Sequence, residues 1–196
     1  MMVTRMISMS ALALTLLGGS PVGWSATEQL PATPPGFGWR EFETVHGALL
    51  VPDGWFVKEV LREGGGSLFI TKEDMAQTGK FSTGLTINVF RHPKPSAFAE
   101  RFIEGLDETK GFLPLKFLPI EGRGTPDTVQ GKSRMIGISA RHLIRVATCL
   151  GNNATGTVYL MSFEAPEATW LPNVSESEPF RISKTLLENV WFDTRY

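Results

Sequence analysis

The side chains of this sequence best suited to metal binding are three histidines, His46, His92 and His142. They lie far apart in the chain, whereas protein zinc sites are built largely from closely spaced cysteine and histidine ligands. Each histidine would need carboxylates from remote loops to complete a site. We therefore interpret the three histidines as surface or capping residues, and the sequence predicts no metal ligand.

A single cysteine, Cys149, is the strongest nucleophile that the chain offers. It lies within an apolar predicted strand, where a free cysteine behaves as a small buried hydrophobe. His142 belongs to the same predicted strand, ~23 Å away at about 3.3 Å per residue, and therefore cannot activate the thiol. No intrachain disulfide can form. We predict a structural role for Cys149, with a reactive thiol or an intermolecular bridge as the alternative.

Catalytic and cofactor motifs are absent from the sequence. There is no G-x-S-x-G nucleophile motif and no glycine-rich phosphate loop. Gly122-Arg123-Gly124 precedes Thr125-Pro126 rather than a helix, so we interpret it as a turn. The carboxylate pairs Asp107–Glu108 and Glu176–Glu178 fall at predicted helix ends or on solvated faces, where acidic residues are common. The sequence therefore predicts no catalytic and no cofactor-binding residue.

The composition is that of a globular protein with a substantial core. Of the 196 residues, 42% are hydrophobic and 20% are charged, with 19 basic and 20 acidic residues. This length accommodates one domain together with an export segment. No run of lysine or arginine is present, so the charge pattern does not favour a nucleic-acid partner.

The N-terminus has the pattern of a secretory signal peptide. Arg5 precedes an apolar run over residues 6–17, and small residues with a proline follow at 18–21. The run is shorter than the roughly 20 apolar residues that span a bilayer. We predict cleavage near Ser25 or Ala26 and a periplasmic or secreted protein without a transmembrane helix after cleavage. The alternative is an uncleaved membrane anchor.

After a predicted signal peptide at 1–26, a leader rich in proline and glycine covers 27–38, and a single domain is predicted from 39 to 196. Ser96 and Ser177 are predicted N-caps of two amphipathic helices, and Gly111 is a predicted C-cap. The predicted strands are 40–45, 48–51, 56–62, 67–71, 85–90, 133–140, 142–150 and 157–165, and the predicted helices are 97–110 and 178–190.

This order, with several strands joined by hairpins, predicts an α+β fold. We expect an α-β-α sandwich in which helices pack on both faces of a largely antiparallel sheet. The apolar run at 158–163 predicts a strand that is covered on both faces.

Pro52, Asp53, Gly54 and Trp55 form a predicted turn between two strands. Proline presets φ, aspartate bonds local backbone, and glycine accepts the positive φ of such turns. The stretch resembles the opening of PsbP-like domains, in which P-x-G-W leads into the second strand. A strand ending in Arg91, a Pro-Ser helix start, paired strands over 133–165 and a terminal helix agree with that resemblance.

The PsbP-like resemblance implies an α-β-α sandwich and a family of mostly non-enzymatic accessory proteins. That family includes an extrinsic photosystem subunit, a nuclear-transport regulator and exported bacterial proteins. No metal-binding or partner-binding residue of the family matches a position here. We therefore predict an exported accessory or binding protein of the bacterial envelope, whose partner is an envelope protein or a small ligand. The alternative is an exported hydrolase or metal-dependent enzyme whose site assembles only in three dimensions.

Overall fold

The computed structural model describes residues 30–106, 112–114, 129–138 and 142–192. Within these ranges the strands pair into two antiparallel sheets. The strands are β1 (Phe37–Phe42), β2 (Gly47–Pro52), β3 (Phe56–Arg62), β4 (Gly65–Thr71), β5 (Gly84–Arg91), β6 (Phe112–Pro114), β7 (Val129–Ile138), β8 (Leu143–Asn152), β9 (Thr157–Pro166) and β10 (Val190–Phe192). The helices are α1 (Met75–Thr78), α2 (Pro95–Gly105), α3 (Glu167–Trp170) and α4 (Glu178–Glu188), with a 3-10 turn at Val174–Glu176.

The larger sheet has seven strands in the order β3-β4-β5-β9-β8-β7-β6. Its longest ladder joins β8 to β9, from the pair Leu143–Pro166 to the pair Asn152–Thr157. The predicted hairpin loop lies between them and ends at Gly156, whose φ of 74° requires the freedom of glycine. β3 and β6 occupy the two edges of this sheet.

The smaller sheet has β2 at its centre, between β1 and β10. All six residues of β2 are buried. The sequence did not predict β10, because a three-residue strand that pairs with β2 across most of the chain leaves no local periodic pattern. β1 begins at Phe37, inside the predicted leader, and ends at Phe42 rather than at residue 45.

The turn at Pro52–Trp55 joins the two sheets. The Trp55 N–H donates to the Pro52 carbonyl at 3.1 Å, and Gly54 has a φ of 76°. The Asp53 N–H donates to the carbonyl of Gly36 at 2.9 Å. The segment therefore moves the chain from the centre of the small sheet to the edge of the large one, and β3 begins one residue after Trp55.

Both faces of the large sheet are covered, which confirms the predicted α+β sandwich with a largely antiparallel sheet. One face packs against β2, α3 and α4, and its buried residues include Tyr159, Met161 and Phe163 of β9. The other face packs against α2, where Ala99 and Ile103 contact Val158 and its neighbours. The side chains of the apolar run in β9 therefore pack alternately into two cores, because successive side chains of a strand point to opposite faces.

The start of α2 differs from the prediction, since Pro95 is its first residue and Ser96 is not the N-cap. Proline suits the first helical position because its φ is preset and its missing N–H needs no partner there. The Ser96 N–H instead donates to Asn153 Oδ1 at 3.3 Å, and its hydroxyl donates to the Gly151 carbonyl at 3.2 Å. The end of β8 and the loop that follows it therefore supply the hydrogen-bond partners at the start of α2, where the sequence predicted a local cap.

The remaining helices show one confirmation and one correction. Ser177 caps α4, because its Oγ accepts from the Phe180 N–H at 3.3 Å. The segment between β4 and β5 contains the one-turn helix α1, which the sequence did not predict and which Asp74 caps through the Ala76 N–H at 2.9 Å. Gly111, the predicted C-cap of α2, lies outside the described residues, and α2 is described only to Gly105.

Candidate functional site

The three histidines lie at separate places in the described part of the chain. His46 occupies the β1–β2 turn with a φ of 45°, and His142 lies just before β8 with a φ of 50°. The His92 ring follows β5, accepts from the Lys94 N–H at 3.1 Å, and lies 4.8 Å from the ring of Phe98. His46 and His92 line two different cavities, which are described below.

The imidazole of His142 faces solvent. Its Nδ1 lies 3.9 Å from a carboxylate oxygen of Glu167, and the two side chains are 89% and 43% exposed. An ion pair so open to water contributes little. The Glu167 N–H also donates to the His142 carbonyl at 2.8 Å, so the contact joins the first residue of α3 to the residue before β8.

Cys149 is fully buried in the core beneath α2, which agrees with the structural role predicted for it from the sequence. Burial raises the pKa of its thiol from an ordinary 9.0 to about 12. Because only the thiolate is strongly nucleophilic, the side chain is inert at neutral pH.

The acidic residues singled out in the sequence do not form a catalytic pair in the described structure. Asp107 and Glu108 lie outside the described residues, as do the predicted cleavage positions Ser25 and Ala26. Glu176 belongs to the 3-10 turn, and Glu178 is in the first turn of α4, on either side of the cap residue. No group of three or more histidine, cysteine or acidic side chains within the described ranges is arranged to hold a metal ion.

Glu73 has a fixed carboxylate in the segment between β4 and β5. Burial opposes its charge, but hydrogen bonds from Ser82 Oγ and from the Thr83 N–H, the latter at 3.2 Å, favour it. The pKa of Glu73 is lowered as a result. These bonds tie one end of the segment to the other and indicate a structural role.

A cavity of about 290 Å³ lies where the β1–β2 turn meets the β3–β4 hairpin and the adjoining ends of β5 and β9. We call it the turn cavity. The chain reaches it from four separate stretches of sequence, so only the sheet pairings bring its walls together. It is lined by Glu43, Thr44, His46, Leu61, Arg62, Gly64, Gly65, Val89, Arg91 and Thr157.

Two arginines give the turn cavity its chemical character. The Arg91 Nη1 donates to the Thr155 carbonyl and, at 2.8 Å, to Thr157 Oγ1, which holds the guanidinium in place. Arg62, at the end of β3, is exposed. Glu43 is the one carboxylate in the lining, so the cavity carries an excess of positive charge.

Thr44, which lines the turn cavity, carries a buried polar atom. The residue is 3% exposed, and its Oγ1 has no hydrogen-bond partner among the described residues. Its N–H donates to Glu59 Oε1 at 3.0 Å, which anchors the β1–β2 turn to β3. Of the residues that line this cavity, the sequence indicated only His46 as a candidate ligand, because nothing in the local pattern connects Thr44 with Arg62 or Arg91.

A second cavity, of about 380 Å³, lies along the outer side of α2, and we call it the helix cavity. Its floor is the aromatic pair Phe98 and Phe102, whose ring centroids are 5.9 Å apart. Both rings are half-buried and pack against the smaller core, in which Ala99 and Ile103 are fully buried. The lining is completed by His92, Lys94, Ala97 and Arg101.

β3 is an edge strand with exposed apolar side chains. It pairs only with β4 among the described strands. Phe56 is 44% exposed and Leu61 is 53% exposed. An edge strand with unpaired backbone groups is a ready template for another extended chain. No helix among the described residues is long and apolar enough to cross a membrane.

No protein-family model matches the chain. No curated protein matches its sequence. Among solved structures, the Ran-binding protein Mog1p of Saccharomyces cerevisiae is similar, with a TM-score of 0.52 and 11% identity, over 80% of this chain and 95% of Mog1p. The cyanobacterial PsbP protein (CyanoP) of Synechocystis matches with a TM-score of 0.49 and 10% identity, over 89% of this chain and 100% of that protein.

A third solved structure, from Bacteroides thetaiotaomicron, has a TM-score of 0.39 and 12% identity over 76% of this chain and 45% of its own. The chain has a PsbP/Mog1-like fold, which confirms the resemblance inferred from the sequence. At these identities the likeness concerns the fold alone.

Proposed function

We propose that this chain is an exported, non-enzymatic accessory protein of the bacterial envelope that binds a protein partner through the edge strand β3. The observation that carries the proposal is that β3 pairs on one side only among the described strands, together with the exposure of Phe56 and Leu61. Addition of a partner's extended segment to such an edge supplies main-chain hydrogen bonds, and neighbouring side chains supply selectivity.

The two apolar side chains are suited to hold such a segment. Phe56 and Leu61 lie five positions apart, so they point to opposite faces of the strand. An added strand would cover backbone groups along the edge and contact one apolar side chain above and another below. Lys58, Glu59 and Arg62 lie between and beside them and bear both signs of charge, which favours a partner strand of mixed charge.

Export is supported by the sequence alone, through Arg5, the apolar run at 6–17 and the small residues that follow. The fold likeness to a Ran-binding protein agrees with a role in protein binding. It says nothing about the identity of the partner here.

Site-specific photo-cross-linking of the full chain in a bacterial host tests this proposal. A photoreactive residue is placed at Phe56 or Leu61, and at Leu171 as a control, because Leu171 is 54% exposed but lies outside β3. We expect the chain in the periplasmic fraction to begin near Ser25 or Ala26. We also expect one protein to be cross-linked from both β3 positions and not from Leu171.

The cross-linked protein is then purified and titrated with the double variant Phe56→Ser, Leu61→Ser. Loss of two exposed apolar contacts is expected to weaken binding roughly tenfold or more, since each exposed apolar contact at a binding centre is worth about 1 kcal/mol or more. Equal cross-linking from all three positions would contradict the β3 surface, and retention in the cytoplasm would contradict export.

A further inference from the structure

We propose that the turn cavity is a binding site for a small ligand that bears a carboxylate or phosphate group. Arg62 and Arg91 supply the positive charge, and the Thr44 hydroxyl supplies a buried donor. This inference does not rest on partner binding at β3. The two proposals concern different ligands, and each can fail without the other.

The charge of the cavity favours an anion. Guanidinium groups stay protonated throughout the physiological range and match the oxygens of carboxylates and phosphates with paired hydrogen bonds. Arg62 and Arg91 face a single carboxylate, that of Glu43, in the lining. The resulting excess of one positive charge is concentrated in a recess, where solvent screening is weaker than on an open surface.

The guanidinium of Arg91 is fixed in position by hydrogen bonds to the protein before any ligand binds. Its Nη1 is bound to the Thr155 carbonyl and to Thr157 Oγ1, and Thr157 is 4% exposed. These bonds use one nitrogen of the guanidinium and fix its plane, which leaves Nε and Nη2 for an incoming oxygen. A group that is already fixed loses little conformational freedom on binding.

Thr44 gives an independent indication of a ligand. A buried hydroxyl without a hydrogen-bond partner is unfavourable and rare in folded proteins. Thr44 Oγ1 is such an atom among the described residues, and the residue lines the cavity beside the two arginines. Rotation of the Thr44 side chain toward a ligand oxygen in the cavity would give this hydroxyl an acceptor and remove the unfavourable term.

The size of the cavity restricts the ligand. Its 290 Å³ is at the lower end of the roughly 300–1,000 Å³ typical of small-molecule pockets. The helix cavity is larger, but its floor is aromatic and it contains no unpartnered buried polar atom. The turn cavity therefore suits a compact anion with few carbon atoms.

Calorimetric titration of the full chain with inorganic phosphate and with malonate, at constant ionic strength, tests the site. We expect saturable binding of at least one probe, accompanied by shifts of the Gly64 and Gly65 amide resonances in 15N spectra. Binding of phosphate alone assigns a phosphate-bearing ligand, and binding of malonate alone assigns a carboxylate. Absence of saturable binding by both probes would overturn the proposal.

Two arginine variants distinguish binding in the turn cavity from a general attraction between the protein and an anion. Arg62→Ala is expected to weaken probe binding roughly tenfold, the effect of losing one charge-assisted hydrogen-bonding group. Because Arg62 is exposed and makes no side-chain bond in the described structure, this change leaves folding intact. Arg181→Ala removes the same charge from the exposed side of α4 and is expected to change affinity less than twofold.

Thr44→Val removes the buried hydroxyl and keeps the shape of the side chain. We expect weaker probe binding, by roughly threefold to tenfold, with no loss of thermal stability, because the hydroxyl that is removed has no hydrogen-bond partner in the described part of the chain. Equal losses of probe affinity from Arg62→Ala and Arg181→Ala would show that the cavity is not the binding site. Unchanged affinity in both single variants, Thr44→Val and Arg62→Ala, would show the same.

Discussion

Cys149 shows how burial decides the chemistry of a residue. The side chain has no exposed surface and packs against Ala99, Ile103 and Val158. A thiolate in this position would lose its hydration without gaining a charge partner, so the thiol keeps its proton. The same sequence position on a solvated loop would offer a reactive nucleophile.

The raised pKa of Cys149 predicts a loss of stability in alkali. Below pH 9 the thiol is protonated in both the folded and the unfolded chain, and the protein has its full stability. Between pH 9 and pH 12 only the unfolded chain releases the proton, so the free energy of unfolding falls. The total fall is about 4 kcal/mol for a shift of three pKa units.

Denaturant titrations at several pH values measure this fall. Cys149→Ala is the control, because it lacks the thiol and its titration while lysine and tyrosine side chains titrate as before. We expect the wild-type free energy of unfolding to fall more steeply above pH 9 than that of Cys149→Ala. Parallel slopes for the two proteins would show that the thiol ionises equally in the folded and unfolded states.

The sequence identified Cys149 as a core residue because its neighbours in the chain are apolar. The residues of the turn cavity gave no comparable signal. Arg62 and Arg91 are 29 positions apart in sequence, and they meet because β4 pairs with both β3 and β5. Strand register of this kind depends on the whole sheet, so single-sequence patterns do not reveal it.

At the scale of elements, the contact between α2 and β8 is set by one glycine. A Cβ on Gly151 would lie 2.3 Å from the carbonyl carbon of Pro95 and 2.4 Å from the backbone nitrogen of Ser96. Both atoms belong to helix backbone and cannot turn aside as a flexible side chain could. The helix start therefore rests directly on the strand, where only glycine fits.

Gly151→Ala is expected to lower the free energy of unfolding by about 1–3 kcal/mol, the cost typical of overpacking. The displaced helix start would also lose the hydrogen bonds from Ser96 to Gly151 and Asn153. Gly105→Ala is the matched control, because a Cβ there meets nothing within 4 Å. In a helix this control is expected to be neutral or stabilising by up to about 1 kcal/mol. Equal effects of the two changes on chemical denaturation would contradict the close contact.

Element order was largely predictable because strand and helix periods are local. Leu85, Ile87 and Val89 of β5 are buried at alternate positions, and Leu186 and Leu187 lie on the buried side of α4. The sequence did not indicate which strands pair with one another. The turn at Pro52–Trp55 has the local pattern of a hairpin, but its two strands belong to different sheets, because the apolar residues of β2 are buried on both sides.

For the whole molecule, the large sheet separates two cores of unequal size. The core that faces β2 and α4 contains large side chains such as Trp170, whose Nε1 donates to the Ala165 carbonyl at 3.2 Å. The core under α2 is built around small residues, among them Ala99 and Ala147. Because burial of apolar area provides most of the stabilisation, the α2 layer is held less tightly than the opposite layer.

Native-state hydrogen exchange measures this difference. We expect the amides of α2 to exchange through partial openings that cost less free energy than global unfolding, whereas amides in β4 and β9 exchange only on global unfolding.

Ile103→Ala and Leu186→Ala form a matched pair, since each truncates a fully buried side chain, one in each core. Each truncation of this kind costs about 2–5 kcal/mol. Ile103→Ala is expected to speed exchange in α2 first, and Leu186→Ala to speed exchange in every layer. If α2 and β9 amides exchange at one common free energy in the wild-type chain, the two cores unfold as a single unit and the smaller core does not open independently.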